Sequence, residues 1–259
     1  MTALVSYGRE GPVGIVTLRR PPLNLIDERF LADLFAAFGE ARSDTSARAI
    51  ILESGISGMF CAGLDLKAVK GWSETQLRRI LQMLYLDLME LQASLGKPTI
   101  AAASGTVRGG GITLSIQCDV IVADETSDFA YSEIDAGLIP AIHLSHLPRQ
   151  ASRHQAFTPL FGGEPFEAEK AMQLGLVERI APGGTAGAAA RTLATLFAAK
   201  PPASLKLARD AFHKVNDAGH RAAVAELIET FIASRFKGDG AEGIDAFVEK
   251  RKPRWRNED

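Results

Sequence analysis

Three short runs in the first half of the chain are apolar on nearly every residue: Ala-Ile-Ile-Leu at 49–52, Thr-Ile-Ala-Ala-Ala at 99–103 and Val-Ile-Val-Ala at 120–123. A strand with no polar face is buried on both sides, the condition met inside a parallel sheet covered by helices. The stretches between the runs can supply those helices. Residues 13–19 add a further strand that stops at Pro21-Pro22. Asp27 is placed to cap a helix in which Phe30, Leu31, Leu34, Phe35 and Phe38 recur at helical spacing. Residues 75–95 predict one long helix with an apolar face of Leu77, Ile80, Leu81, Leu84, Leu88 and Leu91, stopped by Gly96-Lys97-Pro98. Strands alternating with helices predict an α/β fold.

Beyond residue 140 the strand signal fades. Residues 168–174, 186–199, 203–215, 221–236 and 243–250 read as helices, with one short strand at 176–180. The pattern predicts an α/β core over 1–183 and a helical region over 184–259, joined by a flexible glycine-rich junction at 182–187. Leu227, Ile228, Phe231 and Ile232 make the tail too apolar to stand in water alone, so it needs either the core or another subunit as a partner. The 29 Lys and Arg against 31 Asp and Glu leave a net charge of −2, which offers no whole-chain attraction to nucleic acid or an anionic membrane. Two cysteines in 259 residues are too few for a disulfide framework. With no leader pattern and no run of 18 apolar residues, a cytoplasmic location is expected.

Several common motifs do not apply. No Gly-x-Gly-x-x-Gly follows a strand, and there is no Gly-Lys-Ser/Thr phosphate loop. His143 and His146 stand three apart with no Cys, Asp or Glu at ligand spacing, so polar packing on a helix surface is favoured over a metal. Cys61 has no adjoining base to activate it and reads as a small buried thiol.

Three blocks are more informative. Phe60-Cys-Ala-Gly-Leu-Asp-Leu-Lys67 follows the strand at 49–52, and Gly105-Thr-Val-Arg-Gly-Gly-Gly111 leaves the strand at 99–103 and opens an apolar helix. Three glycines at a helix start expose backbone N–H groups to close approach by an anionic ligand, or else merely allow tight packing of helix on sheet. In the third block, Phe129-Ala-Tyr-Ser-Glu-Ile-Asp-Ala-Gly-Leu-Ile-Pro140, Glu133 sits among apolar neighbours. Desolvation there would raise its pKa toward that of a general acid or base, the alternative being an exposed rim carboxylate.

In their order and spacing these blocks resemble the crotonase superfamily, also called the enoyl-CoA hydratase/isomerase family, and the resemblance runs from the strand at 13–19 to the tail at 246–252. It implies a crotonase-like α/β fold: repeated ββα units forming two roughly perpendicular sheets, with C-terminal helices for oligomerisation. It further implies an acyl-CoA substrate whose carbonyl oxygen lies between the N–H groups of Leu64 and Gly110, with Glu133 transferring the proton. Ala62, Leu66, Lys67, Gly109, Thr113 and Ala141 fall at positions that line the substrate, and Phe247 and Lys250 at positions that hold coenzyme A, often from a neighbouring subunit. Coenzyme A enters as part of the substrate and no separate cofactor is implied; the implied assembly is a homotrimer or a dimer of trimers.

The sequence departs from the hydratase pattern in two places. Thr113 stands where hydratases carry a first glutamate, and Ala-Ile-His-Leu-Ser-His at 141–146 replaces a glycine-rich turn. A threonine hydroxyl cannot share acid/base work near neutral pH, so two-carboxylate addition of water is not expected. One carboxylate beside an oxyanion hole still permits double-bond isomerisation, the most economical reading, or hydration of an enoyl-CoA by other means. The runner-up is a hydratase-lyase or decarboxylase reaction. A reading of another class is a catalytically inactive protein that binds CoA esters or serves in assembly.

Overall fold

The apolar runs become neighbouring parallel strands. In the computed structural model, which describes residues 3–217 and 219–255, β1 (Val5–Glu10) pairs antiparallel with β2 (Val13–Leu18), and β2 continues in parallel to β3 (Ala49–Ser54), β5 (Thr99–Ala103), β7 (Val120–Asp124) and β10 (Arg179–Ala181). A second sheet has the order β4 (Met59–Cys61), β6 (Thr106–Arg108), β8 (Asp128–Ala130) and β9 (Phe166–Glu167), with the first three parallel.

Side-chain alternation explains why the inner strands of the large sheet are mostly apolar. Val13, Ile15, Ala49, Ile51, Ile100, Ala102 and Val122 face a core closed by helix α9 (Ala186–Ala198), while Val16, Leu18, Ile50, Leu52, Ala101 and Ala103 face the main core. Both faces are dry, so apolar residues dominate both sets of alternate positions. The main core also takes the buried face of α1 (Glu28–Ser43), whose N-terminus Asp27 caps by accepting the Phe30 N–H at 2.8 Å.

The chain repeats one unit three times. A long strand in the large sheet leads to a short strand in the small sheet and then to a helix. The first unit is β3, β4 and α2 (Leu66–Gly71), and the second is β5, β6 and α5 (Gly110–Ile116). The third is β7, β8, a 3₁₀ turn at Ile134–Ala136 and α6 (Ala141–Gln150). Because β4, β6 and β8 are adjacent and parallel, their C-terminal ends lie side by side. That is where ligands gather in parallel sheets.

Between the first two units, the expected helix at 75–95 is divided. It consists of α3 (Glu74–Leu81), a π-helical turn (Gln82–Asp87) and α4 (Leu88–Ala93). The π turn frees backbone carbonyls, and the Gln117 side-chain amide donates to Leu84 O at 2.7 Å. A tertiary hydrogen bond therefore stabilises a break that apolar spacing does not reveal.

The C-terminal part contains α7 (Arg153–Gly162), α8 (Ala168–Gln173), α10 (Pro202–Asn216), α11 (His220–Phe236) and α12 (Gly240–Glu249) besides α9. The stretch at 182–187, expected to be flexible, is tied down: Asp124 Oδ1 accepts the N–H groups of Thr185 and Ala186 at 2.8 and 2.7 Å. The boundary expected at 183/184 thus falls between β10 and the helix that covers the same sheet. The apolar face of α11 finds its partner within the chain, since Ile228, Phe231 and Ile232 are buried in the main core. Among the described residues no helix is long and apolar enough to cross a membrane.

Candidate active site

The end of β4 is fixed by a residue that sequence reading passed over. Asn24, fully buried, donates from Nδ2 to Phe60 O at 2.8 Å and accepts the Cys61 thiol on its own carbonyl at 3.1 Å. It takes a left-handed conformation, which asparagine tolerates better than most side chains. Cys61 is accordingly a packing residue, its thiol pushed up to about 12 by burial. After it, Ile26 N donates to Gly63 O and Asp65 N donates to Ile26 O, at 2.8 and 2.9 Å. This parallel bridge uses the groups on either side of Leu64 and leaves the Leu64 N–H outside the ladder. Asp65 then caps α2 by accepting the N–H groups of Lys67 and Ala68.

The end of β6 presses against that bend. Gly109 has φ 44° and ψ −109°, a conformation closed to side chains with a Cβ, and it starts α5 without a side-chain cap. Gly110 is the first helical residue, so its N–H is free of the helix ladder by geometry. A Cβ on Gly110 would lie 3.5 Å from Leu64 N, and one on Gly63 would lie 3.1 Å from Gly110 N. The two bends therefore bring the Leu64 and Gly110 amides together. Gly111 allows this closeness, because a Cβ there would sit 2.3 Å from Cys61 O.

The end of β8 supplies the acid. Glu133 lies three residues beyond β8, and its Oε1 would be 2.8 Å from a Cβ on Gly109. Glu133 Oε2 is buried with no hydrogen-bond partner among the described residues. Burial lifts this carboxyl to about 7, with its own backbone N–H pulling the other way. The phenols of Tyr85 and Tyr131 are pushed up first by burial and then by the Glu133 charge, which places both rings near the carboxylate. Sequence reading missed both tyrosines; Tyr131 lies inside the third block, and Tyr85 is delivered by the π turn.

The expected lining residues divide by exposure. Gly109, Thr113 and Ala141 are buried, Ala62, Leu64 and Leu66 are partly buried, and Lys67 is exposed on the first turn of α2. Phe247 and Lys250 lie near the end of α12 and are exposed. Helix α12 packs on α2 and on the 134–136 turn of its own chain, where Gly243 lies so close to Ala136 that a Cβ would meet its carbonyl at 2.1 Å.

The histidines differ from the expected surface packing. His143 is fully buried, its ring centroid 4.7 Å from that of Tyr131, and its Nε2 lies 3.2 Å from Thr113 Oγ1. Burial, and then the neighbouring His146, lower His143 to about 3. His146 is lowered to about 4 by burial and by His220. Both rings are neutral at physiological pH.

The Leu64 and Gly110 amides and the Glu133 carboxyl lie beyond the ends of three adjacent parallel strands, and residues 8–258 match the family described as Enoyl-CoA hydratase/isomerase. The chain belongs to the enoyl-CoA hydratase/isomerase family. It is 32% identical over 253 residues to a putative enoyl-CoA hydratase of Thermus thermophilus, covering 95% of this chain and 98% of that protein. It is 30% identical over 252 residues to a probable enoyl-CoA hydratase of Bacillus subtilis, covering 95% and 96%. Among solved structures, an enoyl-CoA hydratase from Mycobacterium avium superposes with a TM-score of 0.86 at 29% identity, covering 99% of this chain and all of that one. The fold is therefore the crotonase-like α/β fold of the enoyl-CoA hydratase/isomerase family, with its ββα repeats and C-terminal helices. Within that family's frame, one carboxylate and a neutral Thr113–His143 couple occupy the space beside the glycine turn.

Proposed function

We propose that this chain moves a proton along the acyl part of an acyl-CoA thioester, with Glu133 as the single acid/base and the Leu64 and Gly110 N–H groups holding the thioester oxygen. The observation that carries this reading is the Glu133 carboxyl itself: its Oε2 is buried with no hydrogen-bond partner among the described residues, and its Oε1 lies where a Cβ on Gly109 would be only 2.8 Å away. Removing a proton from the carbon next to a thioester carbonyl sends the electron pair toward the carbonyl oxygen. Two fixed amides stabilise the resulting enolate, each worth about 3–4 kcal/mol in a water-poor site. A carboxyl near pKa 7 can take that proton and return it two carbons further along, which shifts a double bond without any second acid. Relatives named as hydratases support the acyl-CoA class, and Thr113 in place of a glutamate favours isomerisation over addition of water.

Lys67 is proposed to meet the CoA phosphates, with Phe247 and Lys250 holding the rest of that moiety. The contact between α12 and α2 supports one chain supplying all three. Ala62, Leu66, Gly109, Thr113 and Ala141 would line the acyl path, and the proposed assembly is a homotrimer or a pair of trimers.

The test is turnover of a panel of 3-enoyl-CoA and 2-enoyl-CoA thioesters by wild type and Glu133→Gln. Wild type should isomerise, and the variant should lose about a hundred- to ten-thousandfold in kcat while still binding butyryl-CoA. A wild-type protein that binds the thioesters but converts none of them would overturn the enzyme reading. Equal rates in both proteins would overturn the role of Glu133.

A further inference from the structure

Arg20 lies between β2 and α1, in a turn where its N–H donates to Asn24 Oδ1 at 2.8 Å and its carbonyl accepts the Asn24 N–H at 2.7 Å. From there its half-buried guanidinium reaches three acceptors. Nη1 donates to Leu25 O at 2.6 Å and pairs with Asp27 Oδ2 at 2.8 Å, and Nη2 pairs with Asp65 Oδ2 at 3.2 Å. The geometry points to Arg20 as a positioning residue for the oxyanion hole: through the Leu25–Ile26 and Gly63–Leu64 peptides it aims and strengthens the Leu64 N–H. This inference rests on the function proposed above and adds a residue to it.

In a trans peptide the carbonyl and the N–H lie in one plane and point to opposite edges, so a bond to the one directs the other. Two such peptides stand in series beside the first donor. Arg20 Nη1 bonds the Leu25 carbonyl, and the Ile26 N–H on the far edge of that peptide donates to Gly63 O at 2.8 Å. The far edge of the Gly63 peptide is the Leu64 N–H, left outside the Ile26–Leu64 bridge. The line therefore runs from a charged donor, through two carbonyl–amide units, to the amide that meets the thioester oxygen. Hydrogen bonds in such a chain polarise one another, and a charged first donor polarises more than a neutral one. Gly63 has φ 90° and no Cβ to restrain the bend, so its direction is set by this bridge.

The same guanidinium removes a conflict of charge. Asp27 and Asp65 directly follow the two bridge residues, Ile26 and Leu64. Each uses one oxygen to cap a helix: Asp27 Oδ1 accepts the Phe30 N–H at 2.8 Å, and Asp65 Oδ1 accepts the Lys67 and Ala68 N–H groups at 3.2 and 3.3 Å. Each turns its other oxygen to Arg20. An unpaired carboxylate one residue from Leu64 would repel the negative charge that develops on the thioester oxygen. Arg20 offsets that charge and joins the N-caps of α1 and α2 across the bridge. A lysine cannot replace it, since a single ammonium stays with the carboxylates and leaves Leu25 O, whereas a planar fork serves all three acceptors.

The experiment compares wild type with Arg20→Ala and Arg20→Lys. Each protein is titrated with butyryl-CoA carrying ¹³C at the thioester carbonyl, and the carbonyl stretch is read by difference infrared spectroscopy. Wild type should lower the stretch on binding. Arg20→Ala should lose much of that shift and fall about ten- to a hundredfold in kcat, less than removal of a donor outright, with KM within about threefold. Arg20→Lys keeps the charge and should still lose most of the shift; if Arg20→Ala fails to fold, the lysine variant alone decides. A merely structural role would lower the melting temperature and leave the carbonyl frequency of the folded protein unmoved. A normal shift and rate in Arg20→Lys would overturn this inference and leave the function above standing. Absence of any shift in wild type would remove the oxyanion hole, and this inference with it.

Discussion

In its proposed role, Glu133 links proton transfer to stability through one side chain. Its carboxyl is raised to about 7 in the folded chain by burial, from an ordinary value of 4.5. Below 4.5 it is protonated whether the chain is folded or not, and stability is unaffected. Between 4.5 and 7 only the unfolded chain releases the proton, so folding becomes progressively less favourable as pH rises. Above 7 the penalty is complete, about 3–4 kcal/mol. Glu133→Gln should therefore melt higher than wild type at pH 8, with the gap closing by pH 4, as urea denaturation at both pH values would reveal. The same pKa sets the rate profile. As a base in the free enzyme, the carboxylate should make kcat/KM fall about tenfold per unit of pH below 7 and level off above it. A variant no more stable at pH 8 than wild type would show the carboxylate to be solvated. Glu133 was legible in sequence because a lone carboxylate among apolar residues is unusual. Tyr85 and Asn24 were not, since their roles depend on neighbours 48 and 36 residues away, Glu133 and Phe60.

At the scale of elements, periodicity identified what packs and missed what is held by tertiary contacts. The strands at β2, β3, β5 and β7 were readable because burial on both faces leaves few polar residues in them. The short strands β4, β6, β8 and β9 span two or three residues each, too few for a period of two to register. Their ends nevertheless build the site, and only the glycines and Glu133 marked them. Helix α10 shows the opposite limit: its sequence reads as a helix, yet its one buried side chain is Arg209. Arg209 donates to Asp119 at 2.8 Å and to the carbonyls of Gln92 and Ala93, while His213 bonds Asp119 at 2.7 Å and Asp217 at 3.0 Å. The helix is thus docked by charge. Hydrogen bonds donated to Asp119 and then to Asp217 raise His213 to about 9, so its stabilisation is complete below about 6.5 and is lost as pH climbs through 9. The melting temperature of wild type should exceed that of His213→Asn at pH 7, and the difference should shrink by pH 10. A gap independent of pH would mean the imidazole acts by packing alone.

The whole molecule then divides its apolar surface in an uneven way. Helix α11 is covered by its own core, and α12 is seated on α2 and the 134–136 turn of the same chain. Helix α10 is left with Leu207 70% exposed, Phe212 65% and Val215 75%. Side chains of this kind on one docked helix are the natural place for a second copy to cover. The trimer that the sequence blocks implied would therefore be expected to bury α10, while each chain completes its own site with its own α12. Sedimentation velocity decides both halves of that statement. Wild type should sediment at three or six times the 27.7 kDa chain mass, and Phe212→Glu with Val215→Glu should shift it toward the monomer. Because α12 stays with its own α2, the dissociated protein should keep its affinity for butyryl-CoA to within a few-fold. A monomeric variant that no longer binds would mean that a neighbouring chain completes the site. A wild type that is already monomeric would mean that α10 meets water in the working enzyme, and that its docking by Arg209 and His213 alone is enough to hold an apolar helix face in solvent.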